Sequence, residues 1–192
     1  MTAGQTSKEG LYNFQGRRQV GEKMLFVPWQ YIADWKCNAC SICCKAYSVV
    51  VNFHEWLKIV KNYGVETTAS GLNKLFIKRR TDGSCVFLHN ISGMNLCGLQ
   101  QMKPNACKIW PFKIARTPEF GYANEAAYSY GENKLFVYAD SICAGLRYGK
   151  PTREFASHTL KEFIEIALGL RSGQFKTTGD IDFFLPYVKF RI

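Results

Sequence analysis

The sequence of 192 residues has no long apolar run. A helix that crosses a bilayer needs about 20 consecutive apolar residues, and the apolar stretches here are short, as at Met24–Pro28. We therefore predict no membrane span. Residues 1–10 are small and polar and lack the apolar segment of a secretory signal, so we expect a cytoplasmic protein.

Acidic residues are few relative to basic ones. Asp and Glu number 15 against 25 Lys and Arg, which gives a net charge of +10. Such a surplus favours contact with polyanions such as RNA or the ribosome, or with an acidic protein partner, and a merely basic surface is the alternative. The candidate basic residues are Arg17, Arg18, Lys78, Arg79 and Arg80.

The motifs of common enzyme classes are missing. His54-Glu55 is followed by Lys58 where a zinc protease has its second histidine, and the sequence contains neither a P-loop nor a GxSxG elbow. No acid, base or nucleophile stands out as catalytic. The sequence therefore assigns no catalytic residue and leaves enzymatic activity open.

Cysteine is too sparse for a disulfide scaffold, but its placement is uneven. Eight cysteines in 192 residues lie below the level of roughly 8% that is typical of disulfide scaffolds. Four of them form the run Cys37-Asn38-Ala39-Cys40-Ser41-Ile42-Cys43-Cys44. In a reducing compartment this spacing indicates metal ligands rather than disulfides or a redox relay. The other candidate ligands are Cys85, Cys97, Cys107 and Cys143.

The spacing within the run indicates which kind of metal centre the cysteines bind. Two residues between cysteines let the backbone wrap around one centre, in zinc knuckles and in bacterial ferredoxins alike. Zinc usually takes separated pairs of cysteines, whereas three in succession is the ferredoxin pattern. We therefore predict an iron-sulfur cluster, of the 4Fe-4S type, with zinc as the alternative.

The adjacent pair Cys43-Cys44 suggests two sites. Neighbouring side chains diverge in most backbone conformations, so the two thiols are expected to serve different centres. One division groups Cys37, Cys40 and Cys43 with one distant cysteine, and Cys44 with the other three. A single cluster beside a structural zinc, or a bridged dinuclear site, fits the sequence as well.

Other residues beside the cysteines have candidate roles. His89 could replace a thiolate as ligand or be a surface histidine. Bulky apolar groups could exclude water from a cluster, and lysines could offset its negative charge, although core packing and solvation are the ordinary alternatives. These candidates are Trp35, Trp110, Pro111, Phe112, Lys103 and Lys108.

Hydrophobic periodicity and turn residues predict an α+β fold. We expect short antiparallel hairpins and two or more amphipathic helices in one compact domain built around cysteine-ligated metal. A helix should begin after Asn52 and another after Thr152, while Asp82-Gly83 and Gly131-Glu132-Asn133 should turn hairpins. The predicted strands are Met24–Trp35, Ala46–Val51 and the tail 181–192.

The predicted organisation has three parts. Residues 1–23 form a flexible basic segment, residues 24–150 the cysteine-cluster core, and residues 151–192 a helix and tail packed on that core. We find no internal repeat and no low-complexity linker.

The cysteine motifs resemble those of a known family. Five motifs, in their order and spacing, resemble those of the YkgJ-type cysteine-cluster proteins. They are the CxxCxxCC run, Cys85-Val86-Phe87-Leu88, Cys97, the segment from Lys103 to Phe112 around Cys107, and Cys143 ahead of Gly145 and Gly149. The resemblance implies chelation of zinc or iron by the cysteines. Two positions differ from the family's usual pattern. The chain has Lys103 where the family usually has arginine, and Gly98 where it usually has a β-branched residue.

The resemblance extends to flagellin lysine methylases, in which a similar cluster accompanies an iron-sulfur centre. Methylation is not implied here, because the chain has no GxG loop for S-adenosylmethionine. Two classes of function remain. One is a redox component, or the cluster-bearing part of an enzyme, with a redox partner. The other is a structural-metal protein whose basic surface binds RNA, a ribosome or a larger complex.

Overall fold

A computed structural model of the chain describes residues 26–91 and 93–174. The predicted basic segment 1–23 and the predicted tail strand 181–192 lie outside these residues. Short antiparallel sheets and several helices make up the described part, so the predicted α+β class is confirmed.

The elements follow one another closely along the chain. The strands are β1 (Phe26–Pro28), β2 (Ile32–Trp35), β3 (Val50–Val51), β4 (Thr68–Gly71), β5 (Lys74–Ile77), β6 (Leu88–Ile91), β7 (Met94–Cys97), β8 (Phe112–Ala115), β9 (Ala127–Tyr130), β10 (Asn133–Asp140) and β11 (Leu146–Tyr148). The α-helices are α1 (Ile42–Ala46), α2 (Phe53–Tyr63), α3 (Asn105–Lys108), α4 (Ala123–Ala126) and α5 (Leu160–Ala167).

Strand β10 is the central strand of the first of two packed regions. This strand pairs antiparallel with β1, β8 and β9, and its residues from Leu135 to Asp140 are buried. Helix α5 follows a π-helical turn, Phe155–Thr159, and contributes buried residues to the same core. The two-stranded sheet of β2 and β11 supplies Ile32 and Trp35. These elements form one hydrophobic core, the β10 core.

Helix α2 is the main helix of the second packed region. The Asn52 side chain accepts a hydrogen bond from the Glu55 backbone N–H, and the Glu55 carboxylate accepts one from the Asn52 N–H, which completes a capping box. The helix packs with the three-stranded sheet β3-β5-β4. The core here includes Val51, Ile59 and Phe87, and we call it the α2 core.

Several local predictions are confirmed by the structure. The helix after Asn52 is α2, the hairpin turned by Gly131-Glu132-Asn133 is β9–β10, and the helix after Thr152 is the π-turn with α5. Each of these elements depends on contacts between residues close in sequence, and sequence patterns record such contacts directly.

Two predicted strands are wrong, and one predicted hairpin is shorter than expected. Met24–Trp35 is not one edge strand, because a 3-10 turn, Trp29–Tyr31, splits it into β1 and β2 in different sheets. Ala46–Val51 contains only the two-residue β3, since Ala46 ends α1. The Asp82-Gly83 turn exists, but its flanks meet only at one bridge, Arg79 with Cys85, because β5 and β6 pair with other strands.

No helix within residues 26–91 and 93–174 has the length and apolar character needed to cross a bilayer.

Candidate metal centre

All eight cysteines line one cavity of about 90 Å³. They are free thiols. Cys37 and Cys143 pack on the β10 core, whereas Cys44, Cys85 and Cys97 pack on the α2 core. The cavity therefore lies where the two hydrophobic cores meet, and thiols from both sides face it.

The backbone of the run bends tightly to present its thiols. Ala39 and Ser41 both have left-handed conformations, with φ of 52° and 63°. The Ser41 carbonyl then accepts hydrogen bonds from the Cys44 and Lys45 N–H groups and begins α1. As a result Cys43 and Cys44 sit on a short helix with their Sγ atoms 3.9 Å apart, so these neighbouring side chains do not diverge as the sequence analysis expected.

The four remote cysteines come from four different segments. Cys97 ends β7, Cys107 lies in α3, and Cys143 lies in the turn after β10, where its N–H donates to the Asp140 carbonyl over 3.1 Å. The Cys85 N–H donates to the Cys44 carbonyl over 2.8 Å. This last bond attaches the loop of Cys85 directly to the CxxCxxCC run.

Backbone N–H groups donate hydrogen bonds to several of the sulfurs. In four cases the donor is two residues further along the chain: Ala39 for Cys37, Phe87 for Cys85, Leu99 for Cys97 and Gly145 for Cys143. Hydrogen bonds to a sulfur stabilise its charged form and orient it as a metal ligand. The same local turn thus prepares thiols in both the run and the remote segments.

Aromatic side chains hold the Cys143 side of the cavity. The Trp35 indole Nε1–H donates to Cys143 Sγ over 3.4 Å. The Tyr47 hydroxyl, just after α1, donates to the buried Asp140 carboxylate over 2.7 Å, and its ring packs on Trp110 at 4.8 Å between centroids. Burial, with help from this carboxylate, raises the pKa of Tyr47. These contacts tie the end of α1 to the end of β10.

Most of the thiols are protonated at neutral pH in the metal-free arrangement. Burial raises the pKa of Cys37, Cys85, Cys97, Cys107 and Cys143 above the ordinary value of 9.0. A metal binds the thiolate, so it must displace these protons. Binding here therefore releases protons and is weaker at lower pH.

The adjacent pair behaves differently. A hydrogen bond from the Cys44 thiol lowers the pKa of Cys43 to about 7, and the same bond raises the pKa of Cys44. The Lys103 ammonium adds to the lowering at Cys43. Cys43 is consequently the thiol that ionises first within the pair.

Electrostatic coupling separates the thiols into two neighbourhoods. Cys40 and Cys37 act on the pKa of Cys143. Cys97 and Cys85 act on the pKa of Cys44 and of Cys107. Cys43 lies between the neighbourhoods, since its charge is felt at Cys37 on one side and at Cys44, Cys97 and Cys107 on the other. The two hydrophobic cores group five of the thiols in the same way, Cys37 and Cys143 on one core and Cys44, Cys85 and Cys97 on the other.

The donor set fits a thiolate-bound metal centre. No three Cys, His, Asp or Glu side chains in the described ranges already converge on one ion position, so the thiols surround an open volume rather than a point. A buried hydroxyl, Ser41 Oγ, lines the same volume without a hydrogen-bond partner. Eight soft sulfur donors suit zinc or iron, and the lining offers little to hard cations.

The accessory residues predicted from the sequence divide into two groups. Trp35, Trp110 and Lys103 line the cavity. Pro111, Phe112, Lys108 and His89 are not among its lining residues. Lys108 Nζ donates to the Ser172 carbonyl over 3.0 Å. Of the two lysines predicted to offset thiolate charge, only Lys103 therefore lines the cavity.

The predicted basic surface is partly used within the fold. Arg80 donates to the Leu88 and Val86 carbonyls over 2.8 and 2.7 Å, and Arg79 donates to the Lys45 carbonyl. These guanidinium groups shape the loop that carries Cys85. Arg17 and Arg18 lie outside the described residues.

Sequence reasoning missed four polar lining residues. They are Asn38, Ser41, Asn95 and Gln100. Asn38 and Ser41 lie inside the CxxCxxCC run, so their position was a usable signal. Gln100 lies in a 3-10 turn after Cys97, and nothing in its local pattern indicates that it faces the thiols.

Gly98 is explained by its neighbour His89. A Cβ on Gly98 would lie 2.9 Å from His89 Nε2 and 3.4 Å from the Phe87 carbonyl oxygen. We expect Gly98→Ala to destabilise the protein by about 1 kcal/mol through overpacking. In a His89→Ala background, where the ring is gone, the same change should cost clearly less.

Thermal unfolding of the four proteins of this double-mutant cycle measures the coupling. Equal costs of Gly98→Ala in both backgrounds would show that the His89 ring is not what requires glycine here.

The fold and the eight-thiol cavity together define a cysteine-cluster protein. The model of the CxxCxxCC family, described as "Putative zinc- or iron-chelating domain", matches residues 36–144, which is more than half of the chain. The chain therefore belongs to this family and is a metal-binding cysteine-cluster protein. No curated protein and no solved structure matches it.

Proposed function

We propose that this protein carries iron-sulfur clusters bound by its eight cysteines and has a redox or cluster-dependent role. The observation that carries the proposal is the single cavity lined by all eight thiols, with the ferredoxin-like run at its edge. Bound to thiolates, such a cluster accepts and donates single electrons.

The open volume between the thiols has room for a centre with several metal ions. The thiols here surround a cavity of about 90 Å³. A centre with several metal ions occupies such a volume, because each thiolate binds a different iron.

The ligands divide into two sets of four. The first set is Cys37, Cys40, Cys43 and Cys143, and the second set is Cys44, Cys85, Cys97 and Cys107. The electrostatic neighbourhoods support this division for every thiol except Cys43, and the packing on the β10 and α2 cores supports it for five of them. Cys43 is placed in the first set by its CxxCxxC spacing. Of the remote cysteines, it assigns Cys143 to the CxxCxxC triplet.

The surroundings suit a redox centre. Trp35 and Trp110 line the cavity and limit access of water, which helps to set a cluster's potential. Lys103 supplies a positive charge that acts on Cys37, Cys43, Cys97 and Cys107. This charge partly offsets that of the thiolates and makes it easier to add an electron.

A structural zinc protein is the second candidate. It is favoured by the position of the cavity between two hydrophobic cores, where any bound metal would hold them together. In that case the basic surface would bind RNA, a ribosome or a larger complex. Binding to RNA that weakens steeply with salt would support this function.

Metal and acid-labile sulfide analysis of protein purified without oxygen decides between the candidates. We expect iron and sulfide in similar amounts and a broad visible absorption that bleaches on reduction. Zinc without sulfide would contradict the redox proposal and support the structural one.

A further inference from the structure

Ser41 is a buried residue at the edge of the cavity, with 5% of its surface exposed. Its Oγ has no hydrogen-bond partner. Every other buried side-chain nitrogen or oxygen in residues 26–91 and 93–174 has one. Buried hydroxyl groups are nearly always hydrogen-bonded, because leaving one unpaired is costly. The Ser41 hydroxyl therefore requires an explanation.

The local structure does not supply a partner for this hydroxyl. Ser41 stands at the N-cap of α1, where a serine usually accepts a hydrogen bond from a backbone N–H of the first turn. Here the side chain makes no such bond, and only the carbonyl group is used, by the Cys44 and Lys45 N–H groups. The left-handed backbone of Ser41, with φ of 63°, accompanies this departure from normal capping.

The setting of the hydroxyl points to a sulfur acceptor. Ser41 lies between Cys40 and Cys43 in the sequence and lines the same cavity as the thiols. Thiolates and cluster sulfides are anionic acceptors, and a hydroxyl can donate to them. Among the lining residues of the cysteine run, Ser41 contributes the hydroxyl donor.

We propose that Ser41 Oγ–H donates a hydrogen bond to a metal-bound sulfur and raises the reduction potential of the centre. Adding an electron makes the sulfurs more negative, so the hydrogen bond stabilises the reduced form more than the oxidised form. Ser41 is thus a tuning residue rather than a ligand. This inference rests on the proposed iron-sulfur function.

The experiment compares Ser41→Ala and Ser41→Gly with the full-length wild-type protein. Both variants remove the hydroxyl, while glycine also relieves the left-handed backbone, so an effect shared by both belongs to the hydroxyl. Ser48→Ala is the matched control, because Ser48 is exposed and does not line the cavity. Iron and sulfide content is measured first, and the potential is then measured by anaerobic titration.

We expect both Ser41 variants to keep the wild-type iron content and to shift to a lower potential. The ratio of reduced to oxidised protein at a fixed potential should fall about tenfold, as for the loss of one hydrogen bond to a charged group. Ser48→Ala should match the wild type. In wild-type protein, exchange into D2O should shift the iron–sulfur vibrations, and this shift should be smaller in Ser41→Ala.

Unchanged potentials in loaded Ser41 variants would overturn this inference and leave the proposed function intact. If Ser41→Ala does not load, a wild-type vibrational spectrum insensitive to D2O would overturn it as well. If the wild type binds zinc without sulfide, the redox proposal fails. A chelator competition then tests Ser41, with zinc affinity expected to fall about tenfold in both variants, and equal affinities would overturn the hydrogen bond.

Discussion

Changing Cys143 to serine should remove about half of the bound metal and leave the other half in place. The change deletes one ligand of the proposed first set, Cys37, Cys40, Cys43 and Cys143, while the proposed second set keeps its four thiols. Cys97→Ser should likewise remove about half, from the second set. Metal per chain, measured by elemental analysis of anaerobically purified protein, gives the result.

Double variants distinguish two centres from one. Cys97→Ser with Cys107→Ser removes two ligands of the same set, so it should lose no more metal than either single change. Cys97→Ser with Cys143→Ser affects both sets and should lose nearly all of it. If every single cysteine change empties the protein completely, the eight thiols serve one shared centre and the division into two sets is wrong.

Both classes of variant should also unfold at lower temperature. The thiols pack on two different cores, and the energy of metal binding at thiolate sites contributes directly to folding. We expect Cys143→Ser to weaken mainly the β10 core and Cys97→Ser mainly the α2 core. Hydrogen exchange of α5 and α2 can follow the two separately.

Gly145→Ala should be the most damaging small substitution near the centre. A Cβ at this position would overlap the carbonyl oxygen of Lys36 and lie 3.3 Å from Trp35 Nε1. The overlap is with backbone, which cannot move away as a side chain can. Because the Lys36 N–H also donates to the Gly145 carbonyl over 3.1 Å, β2 and β11 would have to separate at this point.

We expect Gly145→Ala to destabilise the protein by about 3 kcal/mol and to lower its melting temperature by roughly 10 °C. It should also reduce metal in the first set, since both the Gly145 N–H and Trp35 Nε1–H donate to Cys143 Sγ.

Gly71→Ala is the matched control for this change. A Cβ on Gly71 would meet no atom within 4 Å, so its stability and metal content should stay close to wild type. A Gly145→Ala protein as stable as Gly71→Ala would show that β2 and β11 can separate at little cost.

Local sequence patterns predicted the elements that depend on near neighbours. The capping box at Asn52 and Glu55 marks the start of α2 because both partners lie within one helical turn. The Asp82-Gly83 pair also marks a true turn, yet its flanks pair only at one antiparallel bridge, Arg79 with Cys85. Strand β5 instead pairs with β3 and β4, a choice between competing partners that the turn residues do not control.

The sequence by itself identified the eight cysteines as candidate ligands. Their residue type and spacing can be recognised without any distant contact. The tertiary structure alone decided that Cys143 faces the run, that Lys103 faces the thiols while Lys108 does not, and that the Ser41 hydroxyl is buried without a partner. These features depend on how two hydrophobic cores pack together, and packing brings together residues as far apart as Trp35 and Cys143. Local periodicity contains no record of such contacts.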